Sequence, residues 1–171
     1  MKITYWMGKA LFESILLTPS HSIENLDFRS VSLNTYLSKK ALSNHQKIGP
    51  RTYVMHNNAM HNEVVGYFTL AYGIVAAAPL GLQNFHKPIM LLARLAVDKN
   101  APGKDLDKIL LKHALLKSLR AAKIIKISAV VVYARDESVK MFYQQFGFVQ
   151  LPSSSFHFYL SIKDIEKNFK N

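Results

Sequence analysis

The sequence predicts an α+β fold containing one βαβ crossover, and three observations carry that expectation. Residues 89–97 and the β-branched run I-S-A-V-V-V-Y (127–133) read as buried strands. Between them Leu106, Ile109, Leu110, His113, Leu116 and Leu119 recur with a period near 3.6, so residues 104–123 predict an amphipathic helix. Upstream, R-T-Y-V-M (51–55) and residues 63–75 flank the polar stretch 56–62, which predicts an antiparallel hairpin. Paired strands followed by a strand–helix–strand unit give a mixed sheet.

The remaining elements follow in chain order. F-E-S-I-L-L (12–17) predicts an opening strand, ended by Thr18-Pro19-Ser20. Ser20 is a candidate cap for a short helix reaching Leu26. From Ser32, the apolar positions Leu33, Tyr36, Leu37, Ala41 and Leu42 take helical spacing, with Lys39 and Lys40 on the outer side. Gly49-Pro50 marks a turn, and residues 76–88 read as a loop. Pro102-Gly103 breaks the chain before the long helix. Asp136 or Ser138 starts a further helix that ends at Gly147, residues 156–162 form the last strand, and a polar tail begins near residue 163. A length of 171 residues predicts a single domain.

Composition narrows the chemistry. The chain has no cysteine, which removes disulfides, a thiolate nucleophile and cysteine zinc sites. His56 and His61 are five apart, unlike the i,i+4 helical zinc spacing, so no metal is expected. Neither a G-x-S-x-G elbow nor a G-x-x-x-x-G-K-[ST] loop occurs. His113, on the apolar stripe, reads as a satisfied core histidine. No stretch reads as a spanning helix or an export signal, which predicts a cytoplasmic protein with no membrane partner. The net charge is +11, and residues 86–126 hold ten of the basic residues against three acids. An anionic partner and a lysine-rich solvated helix face both account for that excess.

Two stretches can carry chemistry. A strand that turns into a helix at residues 91–111 presents free backbone N–H groups at the positive end of the helix dipole, where phosphates bind. Tyr143, within M-F-Y-Q-Q-F-G-F, reads either as a core aromatic or as a general acid.

Together these stretches resemble the GNAT acetyltransferase superfamily. L-L-A-R-L-A-V-D (91–98) is similar to its central strand, residues 102–107 fall at its pyrophosphate loop, and F-Y-Q-Q-F-G-F (142–148) is similar to its closing signature. L-T-P-S-H (17–21), S-L-N-T-Y-L-S-K-K-A-L-S-N (32–44), R-T-Y-V (51–54) and V-V-G-Y-F-T-L-A (64–71) resemble the GNAT toxins of bacterial toxin–antitoxin systems. The likeness spans roughly residues 10–162.

The resemblance implies a twisted sheet of about six to seven strands, splayed at its centre and flanked by about four helices. It implies N-acetylation of the α-amine of an aminoacyl-tRNA by acetyl-CoA, which stops translation. Implied partners are the aminoacyl-tRNA, a ribbon-helix-helix antitoxin and a second copy of the chain. Backbone at Leu95, Ala96 and Val97 would align the pantetheine. Gly103, Lys104, Asp105, Leu106, Asp107, Lys108 and Ser138 would hold the cofactor, and Tyr143 would protonate the departing thiolate. Arg51 matches a basic family position and is a candidate for the tRNA end; it also reads as a strand-end surface arginine. Lys39, Lys40, Arg94 and Lys47 are further basic candidates. The loop departs from the superfamily's Q/R-x-x-G-x-G/A: the six residues are Pro102, Gly103, Lys104, Asp105, Leu106 and Asp107, so Asp stands at both later small positions. Two alternatives stay open: a GNAT-fold protein without catalysis that binds RNA or an antitoxin, and an enzyme acting on a small-molecule or protein amine.

Overall fold

The computed structural model describes residues 4–7, 10–58, 63–76, 86–152 and 154–170. It divides into two compact units, Met1–Leu70 with Arg94–Leu116, and Ala71–Ala93 with Lys117–Asn171.

The first unit is built on an antiparallel meander. β1 (Thr4–Met7) pairs with β2 (Ala10–Leu16) from Met7↔Ala10 to Thr4↔Glu13. β2 pairs with β3 (Arg51–Asn57), and β3 pairs with β4 (Glu63–Ala76) as the predicted hairpin, with a bulge at Met55/His56. The expected turn is shorter than 56–62, because β3 continues through Asn57; residues 59–62 lie outside the described residues.

The predicted helix over 20–26 does not form. His21 instead closes a local turn: its Nδ1 accepts the Thr18 N–H at 3.0 Å, and its own N–H reaches the Thr18 carbonyl at 3.2 Å. Side-chain bonding of this kind competes with helix. The helix expected from Ser32 is present in three parts: α1 (Val31–Thr35), a π-helical turn (Tyr36–Lys40) and α2 (Ala41–His45). Ser30 caps it by accepting the Leu33 N–H. Lys39 and Lys40 point outward as expected, while Tyr36, Leu37 and Ala41 are buried with Leu17, Phe28, Val54, Val64, Tyr67 and Ala96 in one core.

β5 (His86–Val97) passes from the second unit into the first at Arg94, and α3 (Leu106–Ile125) passes back at Lys117. In the first unit Gly66 lets β4 lie against β5: a Cβ there would stand 2.7 Å from the Ala96 carbonyl oxygen. His113 on α3 is fully buried and hydrogen-bonded to the Ser14 hydroxyl, as a core histidine should be.

In the second unit β5 runs parallel to β6 (Ala129–Tyr133), from Met90↔Val130 to Leu92↔Val132. β6 pairs antiparallel with β8 (His157–Ser161), which carries the two-residue β7 (Val149–Gln150) at its other edge. Ile89, Ala129 and Val131 form a buried cluster here. α4 (Glu137–Gln145) follows β6, and the polar tail is helical as α5 (Ile162–Lys170), with Ile165 fully buried. Eight strands are thus present among the described residues, the additions to the expected count being the short β1 and β7. Residues 77–85 of the expected loop lie outside the described residues. Among the described residues no helix is long and apolar enough to cross a membrane.

Candidate active site

The loop between β5 and α3 holds two residues at positive φ despite its two aspartates. Gly103 has φ +126°, and Asp105 has φ +59°. The second value is left-handed, where a glycine would be at ease; aspartate is among the few side-chain-bearing residues that visit this region. The sequence departs from the glycine pattern while the local backbone still adopts a glycine-like conformation.

Both carboxylates turn onto α3, Asp105 from just before it and Asp107 from within its first turn. Asp105 Oδ1 lies 3.2 Å from Lys108 Nζ, and Asp107 Oδ1 accepts the Lys108 N–H at 2.9 Å. That contact uses one of the first N–H groups of α3. The N–H groups of Leu106 and Asp107 have no acceptor among the described residues, as expected of a helix start without a side-chain cap. Lys104 is exposed. A cavity of about 270 Å³ opens here, lined by Arg29, Val97, Asp98, Lys99, Ala101, Gly103, Asp105, Leu106 and Asp107. Of the expected cofactor residues it therefore gathers Val97, Gly103, Asp105, Leu106 and Asp107. Leu95 and Ala96 precede Val97 on β5, past the end of its ladder with β6.

Arg29 was not anticipated. It is the only basic residue between Lys9 and Lys39, and no periodicity singles it out. The structure brings it to the loop through a latch. Asp27 Oδ2 pairs with Lys99 Nζ at 2.6 Å, the Asp27 N–H donates to Asp98 Oδ1 at 2.9 Å, and the Lys99 N–H donates to the Asp27 carbonyl at 2.8 Å. Lys99, Asn34 and the Arg29 N–H together hold the Asp27 carboxyl down at about 2.

Of the expected tRNA-contacting residues, Arg51 and Arg94 are engaged locally. Arg51 Nη1 donates to the carbonyls of Asn44, Lys47 and Gly49 at 3.2–3.4 Å, closing the end of α2. Beside it, His45 Nε2 accepts the Thr52 N–H at 2.9 Å, and burial, aided by Arg51, lowers the pKa of that imidazole. The Arg94 guanidinium stacks 3.6 Å above the Tyr36 ring. Lys39, Lys40 and Lys47 are exposed. Residues 28–62 contain five basic residues (Arg29, Lys39, Lys40, Lys47 and Arg51) and no acid.

In the second unit Tyr143 sits on α4 with its ring 5.3 Å from those of Phe142 and Phe148. The residue is buried, yet its hydroxyl makes no hydrogen bond among the described residues. Burial pushes the phenol pKa well up, against a smaller opposing pull from Arg135. The ring of Tyr143 is thus part of the core, and its hydroxyl keeps its proton at neutral pH. Ser138 is exposed and donates to Asp136 Oδ1 at 2.9 Å. Asp136 caps α4 by accepting the Val139 N–H at 2.9 Å, which is the main cause of its lowered pKa. No group of three metal-ligating side chains occurs among the described residues.

A tRNA-acetylating toxin of Mycobacterium tuberculosis is 36% identical over 138 residues, covering 78% of this chain and 81% of its own. The chain belongs to the tRNA-acetylating toxin family. Solved structures agree with the GNAT fold of this family. A KacTA–DNA complex matches at 26% identity and TM-score 0.80, over 93% of this chain and 98% of that one. AtaT complexed with acetyl-methionyl-tRNAfMet matches at 24% identity and TM-score 0.83, over 92% and 99%. AtaTR bound with acetyl-CoA matches at 24% identity and TM-score 0.78, over 92% and 98%. No protein-family model matches the chain.

Proposed function

We propose that this protein transfers the acetyl group of acetyl-CoA to the α-amine of an aminoacyl-tRNA and thereby acts as a translation-blocking toxin. The observation that carries the reading is the retained left-handed backbone at Gly103 and Asp105, in a chain 36% identical to a tRNA-acetylating toxin. Asp105 is paired with the Lys108 ammonium, which offsets part of its charge, while Asp107 accepts only the Lys108 N–H and still opposes a pyrophosphate.

The chemistry then assigns roles. The acceptor amine attacks the thioester carbonyl, the C–S bond breaks, and the amine's proton passes to water. Backbone at Leu95, Ala96 and Val97 aligns the pantetheine and polarises the carbonyl. The loop from Gly103 to Lys108 receives the pyrophosphate at the start of α3. Tyr143, protonated at neutral pH, gives its proton to the departing thiolate. The acid-free basic stretch 28–62, with exposed Lys39 and Lys40, suits a phosphate backbone. In this scheme Arg51 and Arg94 act by holding α2 and the Tyr36 ring, with Arg51 nitrogens other than Nη1 left for RNA. Ser138 is retained as a weaker cofactor contact. The partners proposed with this function are aminoacyl-tRNA, a ribbon-helix-helix antitoxin and a second copy of the chain, in the cytoplasm.

Incubation with acetyl-CoA and a mixed aminoacyl-tRNA pool, read by mass spectrometry of the aminoacyl ends, tests the proposal. Acetylated aminoacyl adducts are expected. An unmodified pool, with acetyl-CoA bound but not consumed, points to the non-catalytic alternative.

A further inference from the structure

The cavity at the β5–α3 loop poses an electrostatic problem for any phosphate-bearing ligand. Its lining carries three carboxylates, from Asp98, Asp105 and Asp107, against two cations, from Arg29 and Lys99. Lys99 is committed to Asp27 at 2.6 Å. Lys108, the neighbouring cation, is committed to Asp105. The Arg29 guanidinium has no acidic partner among the described residues, so it is the one lining cation with its charge available.

Its backbone is held in place. Phe28 is buried, with its ring 4.9 Å from that of Tyr67 in an edge-on contact, and its N–H donates to Asn34 Oδ1 at 2.8 Å. The Arg29 N–H donates to Asp27 Oδ1 at 2.9 Å, and Arg29 itself has φ +58°. Asp27 is in turn fastened to Asp98 and Lys99, next along the chain from the loop. An arginine in a left-handed conformation is uncommon, and here the surrounding contacts dictate it.

We propose that Arg29 binds the phosphate-bearing end of acetyl-CoA and supplies the positive charge that the two loop aspartates oppose. The inference rests on the acetyl-CoA reading above. Guanidinium is the fitting group because its fork meets two phosphate oxygens at once, which a lysine at the same place does not. The cavity fits a cofactor phosphate better than a tRNA phosphate because its wall joins Val97, at the end of β5, to Gly103, Asp105, Leu106 and Asp107 at the start of α3.

Isothermal titration of acetyl-CoA into the full chain, and into Arg29→Ala and Arg29→Lys, tests this. Arg29→Ala is expected to weaken binding by about tenfold to a hundredfold, with Arg29→Lys between the two. In steady state the KM for acetyl-CoA should rise with kcat nearly unchanged. Turnover of acetyl-pantetheine, which lacks the phosphates, should be the same in both variants as in the parent chain. If Arg29→Ala does not fold, Arg29→Gly, suited to φ +58°, carries the test. Unchanged acetyl-CoA affinity overturns the proposal, as does a loss confined to tRNA binding. An equal loss with acetyl-pantetheine also overturns it, because the role would then be structural. Failure of the unmodified chain to bind acetyl-CoA overturns the acetyl-CoA reading itself, and is told apart by that result.

Discussion

The starts of α3 and α4 both carry aspartates, and they use them in opposite ways. At α4 the extended residue Asp136, with φ −154°, folds its carboxylate over the helix end and takes the Val139 N–H and the Ser138 hydroxyl. That terminus is closed. At α3 the left-handed Asp105 turns its carboxylate to Lys108, and the N–H groups of Leu106 and Asp107 stay open. The same side chain caps a helix in one place and leaves the first N–H groups uncapped in the other. The difference lies in backbone φ, which sets where the carboxylate can reach. An aspartate before a helix is therefore not in itself evidence that the helix end is occupied.

Four measurements break or sharpen this contrast. The largest effect is expected at α4, from chemistry rather than capping: Tyr143→Phe should lower turnover with aminoacyl-tRNA by about a hundredfold. Acetyl-CoA affinity should stay within about twofold, and a loss of affinity with unchanged turnover would refute the general-acid role. Next, the double change Asp105→Gly with Asp107→Gly should tighten acetyl-CoA binding by roughly tenfold, since it removes two carboxylates and eases φ at position 105. Equal affinity in a titration would show that no phosphate sits against this loop. Third, Asp136→Ala should cost about 1 kcal/mol of stability in a denaturant melt, the usual worth of an N-cap, and move acetyl-CoA affinity by no more than about twofold through the freed Ser138 hydroxyl. A larger shift would give the α4 terminus more than a weak part in holding the cofactor. The smallest effect concerns the Asp27 latch. Its carboxyl falls from 3.8 to about 2 on folding, so its contribution is complete above about pH 4 and is lost only as pH falls through about 2. The stability difference between the parent chain and Asp27→Asn should therefore be flat between about pH 5 and 8, and a midpoint in that range would assign the latch to another group.

Legibility from sequence followed the range of the interactions involved. The β5–loop–α3 unit, the β3–β4 hairpin and α4 were readable because apolar spacing and caps are local signals. β1 and β7 were not, since four and two residues are too few to show alternation. The helix over 20–26 failed because the His21 ring satisfies Thr18, a local competitor that composition does not rank. From sequence alone Arg51 reads as a surface or tRNA residue. Its work on the Asn44, Lys47 and Gly49 carbonyls depends on how a seven-residue span folds back. Arg29 gave no signal, because its role arises from contacts between Asp27 and residues 71 and 72 positions away.

By itself the sequence determined the order of the main elements, the family pattern at 91–98 and 142–148, and the presence of Asp where small residues are usual. These follow from side-chain periodicity and identity, which are written along the chain. Only the tertiary structure decided that Asp105 could keep a glycine's conformation, that its charge would be spent on Lys108, and that Arg29 would stand at the same cavity. Backbone dihedrals and charge pairing depend on neighbours in space, and the latch from Asp27 to Asp98 and Lys99 is what makes those neighbours.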